Sequence, residues 1–221
     1  MRKTFSLPVA ATAAGGGVTP PPADTVDNIE HSVRFNSADS AYLSRTPASA
    51  GNRKTWTWSG WVKRSGLGTT QRFFGNFDSG GSNGADIEFT SGDQIRVLDF
   101  TTSTQWQLIT TAVYRDPSSW YHVLVALDTT QTTSSNRLKL YINGVQVTVF
   151  GTETYPGLNV DGRLNTAQAH GLGRAGAYNA DYLSGYLANV HFVDGQALTP
   201  SSFGFTDSNG VWQPKAYSGS Y

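Results

Sequence analysis

The clearest alternation of apolar and polar positions runs from Leu138 to Val149. Leu138, Leu140 and Ile142 alternate with Lys139 and Tyr141; after Asn143-Gly144, Val145, Val147 and Val149 alternate with Gln146 and Thr148. A strict period of two marks half-buried strands, and Asn-Gly supplies the positive φ angles of a type I′ turn. The spacing predicts a hairpin in which Ile142 faces Val145, Leu140 faces Val147 and Leu138 faces Val149. Its aliphatic side belongs on a core, and the side carrying Lys139, Tyr141, Gln146 and Thr148 belongs toward water. Upstream, Trp120 to Asp128 is apolar on both sides, which suits an interior strand.

The same reading extends along the chain. In TWTWSGWVKRS, Trp56, Trp58, Gly60 and Val62 share one side, and Thr57, Ser59, Trp61 and Lys63 the other. RFFGNF, ADIEFT, QIRVLDF and QWQLITT follow at strand-like intervals, separated by SGGSNG, SGDQ and TTST. Short strands at that spacing indicate a β-sandwich or barrel. SVRFNSADSAYLSRT adds two short strands, TETYPGLNVDGRLNT reads as a long loop, and HGLGRAGAYNADYLSGYLANVHFVD adds one or two strands. Only ALTPSSF suggests helix, a single turn with Thr199 as N-cap and Pro200 at the first helical position. Trp212, Pro214 and Tyr217 are expected to lie against the surface rather than in a sheet.

Composition narrows the classes. The 221 residues carry 16 basic and 16 acidic side chains and no cysteine. A neutral balance gives no general attraction to nucleic acid or anionic lipid, and no apolar run reaches the length needed to span a bilayer. Disulfides and thiolate metal sites are excluded. Met1 to Asp27 stands apart: Gly15-Gly16-Gly17 and Pro20-Pro21-Pro22 cannot build a core, so residues 1–27 are expected to be an extended arm anchored in an assembly. MRKTFSLPVAATAAGGG also has the outline of a secretory leader, with two basic residues, a modest apolar run and an Ala-x-Ala-like end. The four histidines, His31, His122, His170 and His191, form no zinc-binding pattern.

WTWSGWVKRS, SSWYHVLVALDTT, RLKLYINGVQV, GLGRAG and YLSGYLANVHFVDGQALTPSSFG occur in the order seen in laminin-G-like, or concanavalin A-like, jelly-roll modules. The run from YLSGYLANVHFVDGQALTPSSFG through NGVWQPKAYSGSY resembles the modules carried by tailed-phage virion proteins, fibres above all. The resemblance implies an all-β, two-sheet antiparallel jelly-roll sandwich over residues 28–221. It implies a bacteriophage structural protein of the virion, either capsid decoration or tail fibre component, held to other virion proteins by its arm. The sandwich would recognise a cell-surface glycan or serve as a building block. The alternative is a free carbohydrate-binding module or secreted lectin. A homo-oligomer, specifically a trimer, is expected from the resemblance.

Related modules suggest two kinds of chemistry to look for. Glucanases of this fold use a Glu-x-Asp-x-x-Glu strand; with Asp86 in the Asp position, Gly84 and Phe89 stand where the glutamates belong, although Asp86 and Glu88 share one strand face. No catalytic residue is therefore assigned, and the protein is expected not to be an enzyme. No cofactor is required, with calcium the one candidate ion: Asp78 and Asp86 bracket the Gly-rich loop and offer the hard oxygens it takes, as do Asp161 and Asp181. For glycan binding, sugar rings present apolar faces that lie on aromatic side chains. Trp61 and Trp106 on strands, with Tyr155 and Tyr178 on loops, are the candidate platforms.

Overall fold

A computed structural model describes residues 26–221. Most of the expected arm, residues 1–25, lies outside the described residues. In chain order the strands are β1 Val33–Phe35, β2 Leu43–Arg45, β3 Thr55–Arg64, β4 Gln71–Gly75, β5 Asn83–Phe89, β6 Ile95–Thr101, β7 Ser103–Thr110 and β8 Tyr121–Asp128. They continue with β9 Leu138–Ile142, β10 Val145–Gln146, β11 Phe150–Thr154, β12 His170–Leu172, β13 Gly185–Asp194, β14 Gly204–Thr206 and β15 Trp212–Pro214.

Two large antiparallel sheets form the sandwich. The first runs β1-β13-β3-β8-β9-β10 and the second β11-β7-β6-β5-β4-β12-β2, with β14 and β15 as a separate pair. The alternation read in β3 decides which side goes inward: Trp56, Trp58 and Val62 are buried in the main core with Val123, Val125 and Leu127 of β8 and Leu138 and Leu140 of β9. Ile87 and Phe89 of β5, Val97 of β6 and Leu108 of β7 meet them from the second sheet. Trp58 bridges the layers, 5.6 Å from the Phe73 ring and 5.9 Å from Phe74.

The hairpin forms as its spacing predicts at the turn. Ile142 pairs with Val145, and Asn143 and Gly144 take φ of 48° and 81°. The Val147 amide still donates to Leu140 at 2.9 Å, but β10 stops at Gln146, because Phe150 crosses to pair with Thr110 in the second sheet. Val149 is consequently 65% exposed rather than facing Leu138 across a ladder.

The outer side of the first sheet departs from expectation. Tyr141, expected toward water, is buried with Leu124, Ala126, Val193 and Phe203, and Leu198 and Tyr217 pack on the same cluster. The closing segment folds back over this half of the sheet and shields it. A 3₁₀ turn at Pro200–Ser202 begins that return, with Thr199 at its N-cap; the Thr199 hydroxyl lies 3.0 Å from Ser201 Oγ instead of capping a backbone amide. Trp212 and Pro214, expected outside any sheet, pair with Thr206 and Gly204.

Candidate functional site

The closing segment leaves the other half of the first sheet's outer side open. Trp61 projects there from β3, Trp120 stands one residue before β8, and Trp212 comes over from β15. The three half-buried indoles line a groove of about 440 Å³, with Asp27, Glu30 and Gln213 among its polar groups. A 2.9 Å hydrogen bond from the Asp27 amide to the Pro214 carbonyl joins residues 26–32 to the closing segment, making one wall.

Two glycines admit Trp212. A Cβ on Gly144 or on Gly204 would collide with its ring, and Gly144 also needs its positive φ for the hairpin turn. Beneath the indoles lies His122, its ring 5.2 Å from Trp61 and 5.7 Å from Trp212. His122 Nε2 is 2.9 Å from Ser59 Oγ. Burial, with the nearby His191 adding to it, pushes the His122 imidazole down to about 3, so the ring is neutral at ordinary pH. Nε1 of Trp61 and of Trp212 is buried without a hydrogen-bond partner. The exposed part of each of these two rings is therefore carbon, the surface on which the apolar face of a pyranose lies.

The outer side of the second sheet is built differently. Asp86 and Glu88 project from one face of β5, as two-residue spacing dictates. Arg72 Nε lies 2.7 Å from Asp86 and 3.2 Å from Glu88, Arg72 Nη1 lies 3.3 Å from Asp181, and Arg96 Nη2 lies 2.7 Å from Glu88. The Arg72 guanidinium is also 5.0 Å from the Phe77 ring centroid and 4.5 Å from that of Tyr178. Burial pushes both carboxyls up, Glu88 to about 8 with the neighbouring Asp86 charge contributing. These carboxylates are engaged by arginines, and neither lines the tryptophan groove.

A larger cleft, about 720 Å³, opens beside Val190–Asp194 of β13, where β1 no longer runs alongside. Of its aromatic lining Trp58 and Phe74 are core residues, Phe192 is half-buried and Tyr221 is exposed, and Asp194 Oδ1 already accepts from the Asn52 amide at 2.8 Å and from Asn165 Nδ2 at 2.6 Å. The smaller groove is the better candidate, because three half-buried indoles converge on it.

The structure separates the residues singled out in the sequence. Trp61 reaches the groove. Trp106 does not: it is 2% exposed in the main core, where the inward alternation of β7 takes it, and it has no face to offer a sugar. Tyr155 packs half-buried on that core with its hydroxyl 3.1 Å from Glu153, and Tyr178 covers Arg72 on the opposite sheet. Asp78 Oδ1 accepts from the Ser82 amide at 2.9 Å and so closes its own turn. Asp86 is fully buried against Arg72, not open to the Gly-rich loop as an ion ligand would be. Among the described residues no group of three or more His, Asp or Glu side chains is placed to hold a metal. Trp120 and Trp212 were not singled out in the sequence as binding residues, since only the fold brings them beside Trp61.

A family model described as the concanavalin A-like lectin/glucanases superfamily matches residues 36–202. No curated protein sequence matches the chain. Among solved structures, domains LG4-5 of the mouse laminin alpha1 chain are similar at 11% identity and a TM-score of 0.51, over 80% of this chain and 45% of that one. The CBM40 of the Ruminococcus gnavus IT-sialidase is similar at 12% identity and a TM-score of 0.51, over 73% of this chain and 95% of that one. Domain 4 of AbnA, a GH43 extracellular arabinanase from Geobacillus stearothermophilus solved with arabinotriose, is similar at 20% identity and a TM-score of 0.50, over 70% and 66%. At these identities the likeness concerns the fold.

Proposed function

Because the chain belongs to the concanavalin A-like lectin/glucanases superfamily, we propose that it is a non-catalytic glycan-recognition module whose binding site is the Trp61, Trp120 and Trp212 groove. The observation that carries this reading is the convergence of three half-buried indoles on one open groove with polar groups at its wall. Stacked rings supply the apolar contact, while Asp27, Glu30 and Gln213 are placed to meet hydroxyls. The non-catalytic part of the proposal is supported by the engagement of Asp86 and Glu88 with Arg72 and Arg96.

The test is a glycan array followed by titration of any hit against the full chain and its Trp61→Ala and Trp120→Ala variants, with thermal melts to confirm folding. Loss of one stacked ring is expected to weaken binding about tenfold, as the stacking increment and lost burial together suggest. Tyr155→Ala and Tyr178→Ala are expected to leave affinity unchanged. Binding that survives the tryptophan changes in folded protein would place the site elsewhere. Release of reducing sugar from a bound glycan would overturn the non-catalytic reading.

The setting we propose is a phage virion, with residues 1–27 as anchor and the sandwich displayed. Its support is the sequence resemblance of the closing segment to modules of tailed-phage proteins. Full chain and a version lacking residues 1–25, which leaves Asp27 in the groove wall, are to be compared for addition to virus particles. Attachment of the full chain alone is expected; equal indifference of both to particles, with glycan binding retained, would favour a free lectin.

A further inference from the structure

Resting on the glycan reading above, we propose that this groove and the strand row beside it select a zwitterionic glycan, one that carries a free amino group and a carboxylate on neighbouring sugars. Pairing fixes the row: Arg34 of β1 stands opposite Tyr186 of β13, which stands opposite Lys63 of β3. Lys63 follows Trp61 by two residues and so projects from the same outer side. With neighbouring strands about 4.8 Å apart, Arg34 and Lys63 stand roughly 10 Å from each other with the tyrosine between them. The Tyr186 ring is 6.3 Å from Trp120, which joins this row to the groove.

The opposite end carries the opposite sign. Asp27 and Glu30 line the groove, and no lysine or arginine does. Among the described residues none of Arg34, Lys63, Asp27 or Glu30 takes part in a salt bridge. Glu30 and Arg34 are four chain steps apart, at most about 13 Å of extended chain. Acid and base thus lie within one ligand's reach of each other, and no salt bridge joins them. A ligand with one sign of charge would meet repulsion at one end. A ligand with both, correctly ordered, meets attraction at each, and indole faces add a preference for the amino group.

A panel with one backbone separates the terms. The probes are an oligosaccharide of alternating glucosamine and glucuronate, its N-acetylated form, its carboxyl-reduced form and the form with both changes, titrated by tryptophan fluorescence at low salt. Each single change is expected to weaken binding about three- to tenfold, the scale of one exposed charge pair, and high salt to erase the differences. In Arg34→Ala/Lys63→Ala the cost of carboxyl reduction should vanish while the cost of N-acetylation remains. Asp27→Asn/Glu30→Gln should show the converse. Equal affinity for all four probes, or best binding by a singly charged form, overturns the inference while the glycan reading stands. If none of the four binds but another glycan binds through Trp61, the inference likewise falls alone. If no glycan of any kind binds folded protein, the reading beneath it falls too.

Discussion

The outer sides of the two sheets use the same period-two geometry to opposite ends. On the first sheet the outward positions around β3 and β8 carry Trp61, a neutral His122 and a neighbouring Trp120, and a groove stays open above them. On the second sheet the outward positions of β4, β5 and β6 carry Arg72, Asp86, Glu88 and Arg96, engaged with one another, with Tyr178 over Arg72. Neutral aromatic carbon can remain half exposed at little cost, ready for a ligand. Buried charge must be satisfied by its own chain, and once satisfied it has nothing left to offer.

The contrast breaks most sharply at Arg72. Replacing it with methionine leaves two buried carboxyls short of their main partner, and we expect a loss on the order of 3 kcal/mol, read by chemical denaturation, with groove affinity unaltered in the folded fraction. A loss below about 0.5 kcal/mol, the range of an ordinary surface change, would mean that Arg96 alone satisfies both.

The two sides should also respond to pH with opposite signs. Glu88 keeps its proton up to about 8 in the fold against an ordinary 4.5, so its contribution to stability is full at low pH and declines as pH rises through that window. His122 stays neutral down to about 3 against an ordinary 6.5, so its penalty is absent above 6.5 and grows as pH falls toward 3. Denaturation profiles should show Glu88→Gln flattening the loss toward alkaline pH and His122→Asn flattening the loss toward acid. If both variants altered the same limb, the two faces would not be electrostatically separate.

A smaller effect tests how the groove is built. Gly144→Ala forces a side chain into positive φ and against Trp212, and about 1–3 kcal/mol should be lost together with measurable glycan affinity. The equivalent change one residue on, Val145→Thr, alters a side chain that is 71% exposed and should stay within about 0.5 kcal/mol. That pair of neighbours distinguishes the slot for Trp212 from the hairpin as a whole.

Local pattern made the strands legible because it acts through neighbours. The alternation of β3 and the Asn143-Gly144 turn appear where the spacing places them, and the short runs from RFFGNF onward become β4 to β7. Pattern was silent where a distant segment decides. Tyr141 looked solvent-facing until the return of Phe203 and Tyr217 covered it, and Asp86 looked like a loop ligand until Arg72 reached it. Trp61, Trp120 and Trp212 are scattered through the sequence, so no window short enough to read could have joined them. The one local hint was that Trp61 falls on the side of β3 away from Trp56 and Trp58.

The bond from the Asp27 amide to the Pro214 carbonyl ties together positions near the two ends of the described chain. Contacts of such long sequence separation carry the greatest loop-closure cost and are slow to form. The groove wall thus exists only in a chain whose distant ends have met over the sheet that supports them. Sugar binding would then serve as a certificate of maturity: a chain caught partway through folding could own every strand of the sandwich and still hold nothing.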